Sequence, residues 1–214
     1  MVRIRAVVGR QRLLWCPLPE PADGLFARYR QDAFVRMVLI GWPLLILMMA
    51  LVALGGPQLF GADIEGRDAV YWWRGLGLMT AILSLAILIL HFRPVQHRYQ
   101  AVIVVAGCLT LAIPLLGTLV MESERLMRAV SYVSMLIITI QVLVLKLSLR
   151  MAALAGGLGI VLATGTTLAM GVSADWGLFA WHAVGSLIVN LFIAAVQERQ
   201  ERISFLQGLL LEHE

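Results

Sequence analysis

The chain has 214 residues, of which 60% are hydrophobic and 14% are charged, and its formal net charge is +4. A mean hydropathy of +0.87 excludes an ordinary soluble domain and is typical of a chain whose main solvent is lipid. The two cysteines, Cys16 and Cys108, lie in an N-terminal tail and inside an apolar run. We therefore predict neither a disulfide framework nor a metal site.

The chain begins with an Arg-rich segment, residues 1–36, which we predict to be a cytoplasmic tail. Its last part, PADGLFARYRQDAFVR (Pro21–Arg36), is typical of an amphipathic helix at the membrane interface that leads into the first span. The apolar residues of that helix are Leu25, Phe26, Tyr29 and Phe34. The first apolar run begins only at Met37 and has no small-residue cleavage site, so we expect a retained span and no secretion signal.

Six apolar runs follow, and a run of roughly 18 or more uncharged residues can cross the hydrocarbon layer as a helix. In lipid every backbone polar group must be paired within its own segment, so each run is predicted to be helical. The predicted fold class is all-α: a polytopic membrane protein with a six-transmembrane-helix bundle over residues 37–196. The runs are Met37–Leu54, Gly75–Leu90, Ala101–Val120, Ala129–Leu145, Met151–Gly171 and Gly177–Val196.

The basic residues are distributed unevenly across the predicted bundle. With six spans both termini lie on one side, and that side has thirteen of the 17 basic residues. The opposite side has only Arg67, Arg74, Arg125 and Arg128. The positive-inside rule therefore predicts cytoplasmic termini. Because the charge is explained by orientation, we expect the lipid bilayer as a partner and no nucleic acid.

Ionisable residues are absent from the central part of every run, which argues against an ion-coupled transporter or proton pump. His91 and His97 flank a loop at one membrane surface and His182 lies near the other, so we predict no haem, metal or other cofactor in this chain. Pro43 and Pro114 are expected to kink or weaken their helices. The loops are too short for a folded ectodomain, so a small-molecule, lipid or membrane-protein signal would act within the bilayer or at its surface.

The sixth run has a polar stripe, formed by His182, Ser186 and Asn190 at positions i, i+4 and i+8 of one helix face. Two interpretations are open. The stripe is either a small binding site or signal-sensitive surface, or a set of interhelical hydrogen bonds that stabilises the bundle. Packing is the commoner role of such residues in membrane helices.

The fifth run has a small-residue stripe, and stripes of this kind allow two helix backbones to approach closely. The neighbouring helix belongs either to the same chain or to a second copy, and we favour packing within one chain. The stripe consists of Ala152, Gly156, Gly159, Ala163 and Thr167.

The last segment, residues 197–214, continues the sixth run as a charged, helix-forming stretch without a helix-stop signal. Ile203, Leu206 and Leu210 occupy a/d-type positions there. We predict that they form the dimer seam of a cytoplasmic signalling helix, the start of a coiled coil, in a homodimer. We also expect the chain to be part of a longer protein.

The end of the chain reads ERQERISFLQGLLLEHE (Glu198–Glu214). Together with the Arg-rich tail and six spans with small loops, it resembles the N-terminal membrane domain of bacterial GGDEF-type diguanylate cyclases. The resemblance covers the whole chain in the arrangement of its segments. In amino-acid sequence it covers only about the last fifteen residues. It implies a location in a bacterial inner membrane and a cytoplasmic cyclase domain that makes cyclic di-GMP from two GTP with Mg²⁺. The GG[DE]EF loop and the metal-binding and GTP-contacting residues of that domain have no counterpart here.

No phosphate-binding Gly-rich loop, Ser/His/Asp arrangement or catalytic carboxylate pair occurs in the chain, so we identify no catalytic residue. The predicted function is a membrane-embedded sensory or regulatory module that controls a diguanylate cyclase through dimer geometry. The same kind of module on an adenylate cyclase or histidine kinase is one alternative. A small self-contained transporter or scaffold is another, although we find no internal repeat of the kind transporters often have.

Overall fold

The computed structural model describes residues 22–59, 65–143, 147–171 and 175–211, and these ranges form helices without any β-strand. The predicted all-α fold class is therefore confirmed for the described residues. The helices in chain order are α1 (Ala22–Leu59), α2 (Gly66–Leu90), the short α3 (Arg93–Gln96), α4 (Tyr99–Val120), α5 (Glu124–Leu143), α6 (Leu149–Met170), α7 (Trp176–Ala180) and α8 (Ser186–Leu211).

Five helical segments are long and apolar enough to cross a membrane, so the chain is a multi-pass membrane protein. They are Gly66–Leu90, Tyr99–Val120, Glu124–Val142, Leu149–Met170 and Trp176–Leu209. The first predicted run lies inside α1, whose described part contains a shorter apolar stretch, Ile46–Gly56. The count of six spans stays a prediction.

Helix α1 is longer than the sequence suggested. It runs for 38 residues, and the predicted interfacial helix forms its first turns without a break at Met37. At 1.5 Å per residue α1 is about 57 Å long, nearly twice the roughly 30 Å of a hydrocarbon layer. Pro43 and Pro114 were expected to kink or weaken their helices. Both lie within continuous helices, Pro43 in α1 and Pro114 in α4.

Helix α4 is the central helix of the bundle. It is the most apolar of the five candidate spans and has the largest buried share, as expected for a helix that is hydrophobic on all sides. Leu111 and Leu115 in its middle are at most 1% exposed. The outer helices leave residues such as Leu85 and Val161 exposed, which is the normal state of a surface that faces lipid.

Helix α6 has clear start and stop signals. Ser148 precedes it, and the Ser148 hydroxyl accepts a hydrogen bond from the Met151 amide at 3.4 Å. Gly171 ends it with a left-handed φ of 65°, a conformation that glycine adopts without steric cost.

The last helical segment is continuous from Trp176 to Leu211. Helices α7 and α8 are joined by one π-helical turn, Trp181–Gly185, and the backbone on both sides of that turn keeps right-handed helical angles. The whole segment is roughly 54 Å long, so it extends well beyond the thickness of a hydrocarbon layer.

Candidate functional site

A group of charged residues lies where α1, α6 and α8 meet, and we call it the Glu198 cluster: Asp23, Arg30, Glu198, Glu201 and Arg202. Glu198 is at its centre. Its Oε2 accepts a hydrogen bond from the amide of Leu149 at 2.9 Å, and its Oε1 accepts one from Arg202 Nη2 at 2.9 Å. These bonds link α8 to the start of α6 and fix the carboxylate against its own helix.

The contact between Glu198 and Leu149 is a helix cap provided by another helix. The first amides of a helix have no partner within it, and its N-terminus carries a partial positive charge, so a carboxylate there is stabilising. Ser148 caps one amide of α6 locally, and Glu198 supplies the second acceptor from α8. Movement of α8 along its axis would therefore break the cap of α6.

Arg30 joins α1 to the same cluster and is only 6% exposed. Its Nη1 lies 3.9 Å from Glu198 Oε2, and its Nε lies 3.6 Å from Glu201 Oε2. A buried ion pair that loses one partner leaves an uncompensated charge, at a cost of about 3–5 kcal/mol. Arg30 therefore stabilises the pairing of the first turns of α1 with α8.

Aromatic contacts extend this pairing toward the end of α8. The ring of Phe205 lies 5.4 Å from that of Phe26 and 5.5 Å from that of Tyr29. Arg202 places its guanidinium 5.2 Å from the Phe26 ring centre and bonds Asp23 Oδ1 at 3.2 Å. The first turns of α1 therefore cover one side of α8.

This pairing affects the predicted dimer seam. Leu206 is fully buried and Ile203 is half-buried within the single chain, while the side chain of Leu210 lies outside the described part. The seam stays a prediction. In the conformation of the single chain, however, Leu206 is not available to a second copy.

The polar stripe lies at the π-helical turn and just after it. Each of its side chains bonds the backbone carbonyl four residues earlier in the same helix. His182 Nδ1 donates to Leu178 O at 2.9 Å, the Ser186 hydroxyl donates to His182 O, and Asn190 Nδ2 donates to Ser186 O at 2.9 Å. Such back-bonding competes with backbone hydrogen bonds and bends helices, which fits a π turn at this position.

Asn190 has a further acceptor that is not used. Asn190 and Ser186 are each 5% exposed, and Asn190 Oδ1 accepts no hydrogen bond from the residues that the structure describes. A buried, unsatisfied polar atom costs about 1–3 kcal/mol. Ser186 and Asn190 therefore lie on a buried face with one acceptor unused, whereas His182 is half-buried.

The small-residue stripe is buried along its whole length, and it contacts helices of the same chain. A Cβ added at Gly156 would overlap Leu187 Cδ1 of α8, and one added at Gly159 would come within 3.1 Å of the Cys108 carbonyl oxygen of α4. At Gly159 the neighbour is backbone, so a larger residue would push α6 away from α4, whereas at Gly156 the side chain of Leu187 could move aside.

Two polar contacts were missed by the sequence analysis. Asp68, 7% exposed in the first turn of α2, accepts hydrogen bonds from the amides of Glu122 at 3.1 Å and Ser123 at 2.8 Å. Gln141 donates from Nε2 to the carbonyl oxygen of Gly107 at 3.0 Å. The sequence shows only that a polar residue lies next to an apolar run or inside one. It does not show which group that residue bonds.

Within the described ranges, no group of three or more His, Cys, Asp or Glu residues is arranged to bind a metal ion. Comparison of the chain with protein-family models, with curated proteins and with solved structures gives no match. The function of the chain has to be inferred from the arrangement of its own residues.

Proposed function

We propose that the chain is a six-helix sensory or regulatory module of a bacterial inner membrane, with both termini in the cytoplasm. It acts as a homodimer and controls a C-terminal cytoplasmic diguanylate cyclase that makes cyclic di-GMP. The Glu198 end of the bundle is the cytoplasmic end in this proposal, because the segments that converge there contain most of the basic residues.

The observation that carries the proposal is the continuity of the helix from Trp176 to Leu211. It begins at the Asp68 end of the bundle, contains the polar stripe and leaves the bundle beside α1. A self-contained transporter has no use for a rigid helix beyond its last span. A module that controls an attached domain needs such a connection.

The contacts of α1 suggest how control would work. In a single chain, Phe26 and Tyr29 lie against Phe205 of α8, and Leu206 is buried. Dimerisation through Ile203 and Leu206 requires this side of α8 to become accessible. A signal that shifts α8 relative to α1 would then change the geometry of the dimer, and with it the approach of two cyclase domains.

Insertions that change the helical phase test the proposal. They are placed directly after Leu211, beyond the α8 residues that contact α1, in the full-length protein. One inserted residue rotates the following domain by about 100°, and seven nearly restore the phase. We expect one residue to change cyclic di-GMP production about tenfold, a coupling of roughly 1.4 kcal/mol, and seven to restore it.

The control is a one-residue insertion between Gly171 and Trp176, ahead of the last helical segment. It does not change the phase after Leu211 and should leave production unchanged. Production that varies smoothly with insertion length would contradict a rigid connection. A product other than cyclic di-GMP, such as cyclic AMP or phosphohistidine, would assign the module to an adenylate cyclase or a histidine kinase. Indifference to every insertion would favour a transporter or scaffold.

A further inference from the structure

An apolar groove of about 260 Å³ lies between α1 and α5, near the end of the bundle where Asp68 bonds the α4–α5 loop. Its floor is Trp72, which is 3% exposed and donates from Nε1 to the carbonyl oxygen of Ala53 at 3.2 Å. Leu51 and Tyr132 at its mouth are 63% and 57% exposed. The groove therefore opens sideways, away from the centre of the bundle.

The groove lies at the depth of the hydrocarbon layer. Val133, which lines it, is nine residues into α5 from Glu124, and this places it roughly 14 Å from the start of the helix. The part of α1 that contributes to the groove belongs to the apolar stretch Ile46–Gly56. Water is not stable against such a lining, and the surrounding medium at this depth consists of acyl chains.

The mouth of the groove favours an acyl chain over a second helix. Tight helix pairs in membranes have small residues at the contact so that their backbones can approach. Here the mouth has Leu51, Tyr132 and Leu136, which are large and exposed. A flexible chain of methylene groups can pass between such side chains, and inside the groove it gains van der Waals contacts with the lining.

A cationic side chain lies directly above the groove. Arg128 is one turn before Tyr132 on the same face of α5, and its side chain is 64% exposed. It pairs with Glu124, and exposed ion pairs of this kind are weak. A guanidinium at the edge of the hydrocarbon layer is well suited to bind a phosphate through two parallel hydrogen bonds.

We propose that this groove is a binding site for one acyl chain of a membrane phospholipid, whose phosphate lies against Arg128. The site recognises the phosphate and one acyl chain of the lipid. It does not require a particular headgroup beyond the phosphate. The inference depends on the embedding of the bundle in a membrane and is independent of the cyclase proposed above.

Fluorescence quenching tests the occupancy of the groove. Trp72 is kept as the single tryptophan, with the other five of the six replaced by Phe, and the chain is placed in vesicles of phospholipids with brominated acyl chains. Bromine quenches at short range, and Trp72 is buried from the bulk lipid. We expect clear quenching, and Val133→Phe, which places a ring in the groove beside Trp72, should reduce it.

Val105→Phe is the matched control, because Val105 is 61% exposed on α4 and does not line the groove. It should leave the quenching of Trp72 unchanged. A second variant has Trp73 as its single tryptophan, and Trp73 is 48% exposed. Quenching of Trp73 shows whether the chain is inserted in the vesicles. Equal quenching of Trp73 with and without Val133→Phe shows that the variant still folds in the membrane. No quenching of Trp72, or quenching that Val133→Phe leaves unchanged, would overturn the proposal.

The phosphate contact is tested by the lipid that copurifies in mild detergent, measured by native mass spectrometry. Arg128→Gln should reduce retained phospholipid roughly tenfold, as expected for one lost charge-assisted contact. Arg150→Gln, an exposed arginine at the start of α6, should not. Equal retention of phosphatidylglycerol and phosphatidylethanolamine supports recognition of the phosphate. Self-crosslinking of Leu51→Cys together with an unquenched Trp72 would show instead that a second copy fills the groove.

Discussion

At each end of the bundle a carboxylate accepts hydrogen bonds from the backbone at the start of another helix, but the surroundings of the two carboxylates differ. At one end, Asp68 of α2 bonds the backbone at the start of α5, and at the other, Glu198 of α8 bonds the backbone at the start of α6. The Asp68 contact is accompanied by an exposed ion pair, Arg67 with Glu122. The Glu198 contact belongs to a largely buried network on a helix that continues beyond the bundle. The two contacts thus have similar hydrogen bonds and differ in what surrounds them.

The largest expected effect concerns which end faces the cytoplasm. Two reporters are needed, one that is active only in the cytoplasm and one that is active only in the periplasm. Fused at Glu214, only the cytoplasmic reporter should be active. Inserted after Ser123, in the α4–α5 loop at the Asp68 end, only the periplasmic reporter should be active. The positive-inside rule is the reason. The same activity pattern at both sites would show that the two sites lie on one side, and the proposed topology would be wrong.

The two arginines that pair across helices should differ strongly in their contribution to stability. Arg30→Met removes a 6% exposed charge from between Glu198 and Glu201, and we expect a loss of about 3 kcal/mol in the free energy of unfolding. Arg67→Met removes an exposed charge next to Glu122 and should leave the unfolding midpoint unchanged. Thermal unfolding in detergent measures both. Equal midpoints for the two variants would mean that the Glu198 cluster is solvated.

Weakening either carboxylate cap should lower the stability of the protein by a similar amount, but only one of the two changes should affect signalling. Asp68→Asn and Glu198→Gln each weaken a cap at a helix N-terminus, and we expect each to lower the free energy of unfolding by about 1–2 kcal/mol. Only Glu198→Gln should alter cyclic di-GMP output of the full-length protein, because Glu198 lies on the helix that leads to the output domain. If Asp68→Asn changes output as strongly, the two ends are not functionally distinct.

The smallest effect on stability is expected at the polar stripe between the two ends. Asn190→Leu removes a buried acceptor without a partner, so we expect stability to stay equal or rise by up to about 1 kcal/mol. Replacing His182, Ser186 and Asn190 together by Leu or Ala should change output. Replacing the exposed Ile188, Val189 and Phe192 by Ala is the control and should not. Unchanged output with the triple variant would assign the stripe to packing alone.

Much of the fold was predictable because backbone polar groups in lipid must be hydrogen-bonded within their own segment. Apolar runs of sufficient length had to be helices, and five of the six predicted runs correspond to helices that can span a membrane. Helix ends were less predictable. The sequence suggested a boundary near Met37, whereas α1 continues through it, because nothing at that position interrupts backbone hydrogen bonding.

The residues of the candidate sites were partly predictable. Spacing alone placed Ser186 and Asn190 on one face, and both are buried there. Their hydrogen bonds run along their own helix, which periodicity cannot distinguish from bonds between helices. The spacing of Ile203 and Leu206 indicated an apolar face of α8, but it did not reveal that aromatic residues of α1 pack beside that face.

The sequence by itself therefore determined the solvent of this protein, its helical class and the apolar and polar faces of individual helices, since these depend on composition and on spacing within one segment. Only the tertiary structure decided that Glu198 caps α6, that Arg30 joins α1 to α8 and that Trp72 is the floor of a groove. Each of those contacts joins residues far apart in the chain. No local pattern encodes such a contact, because it depends on how whole helices pack.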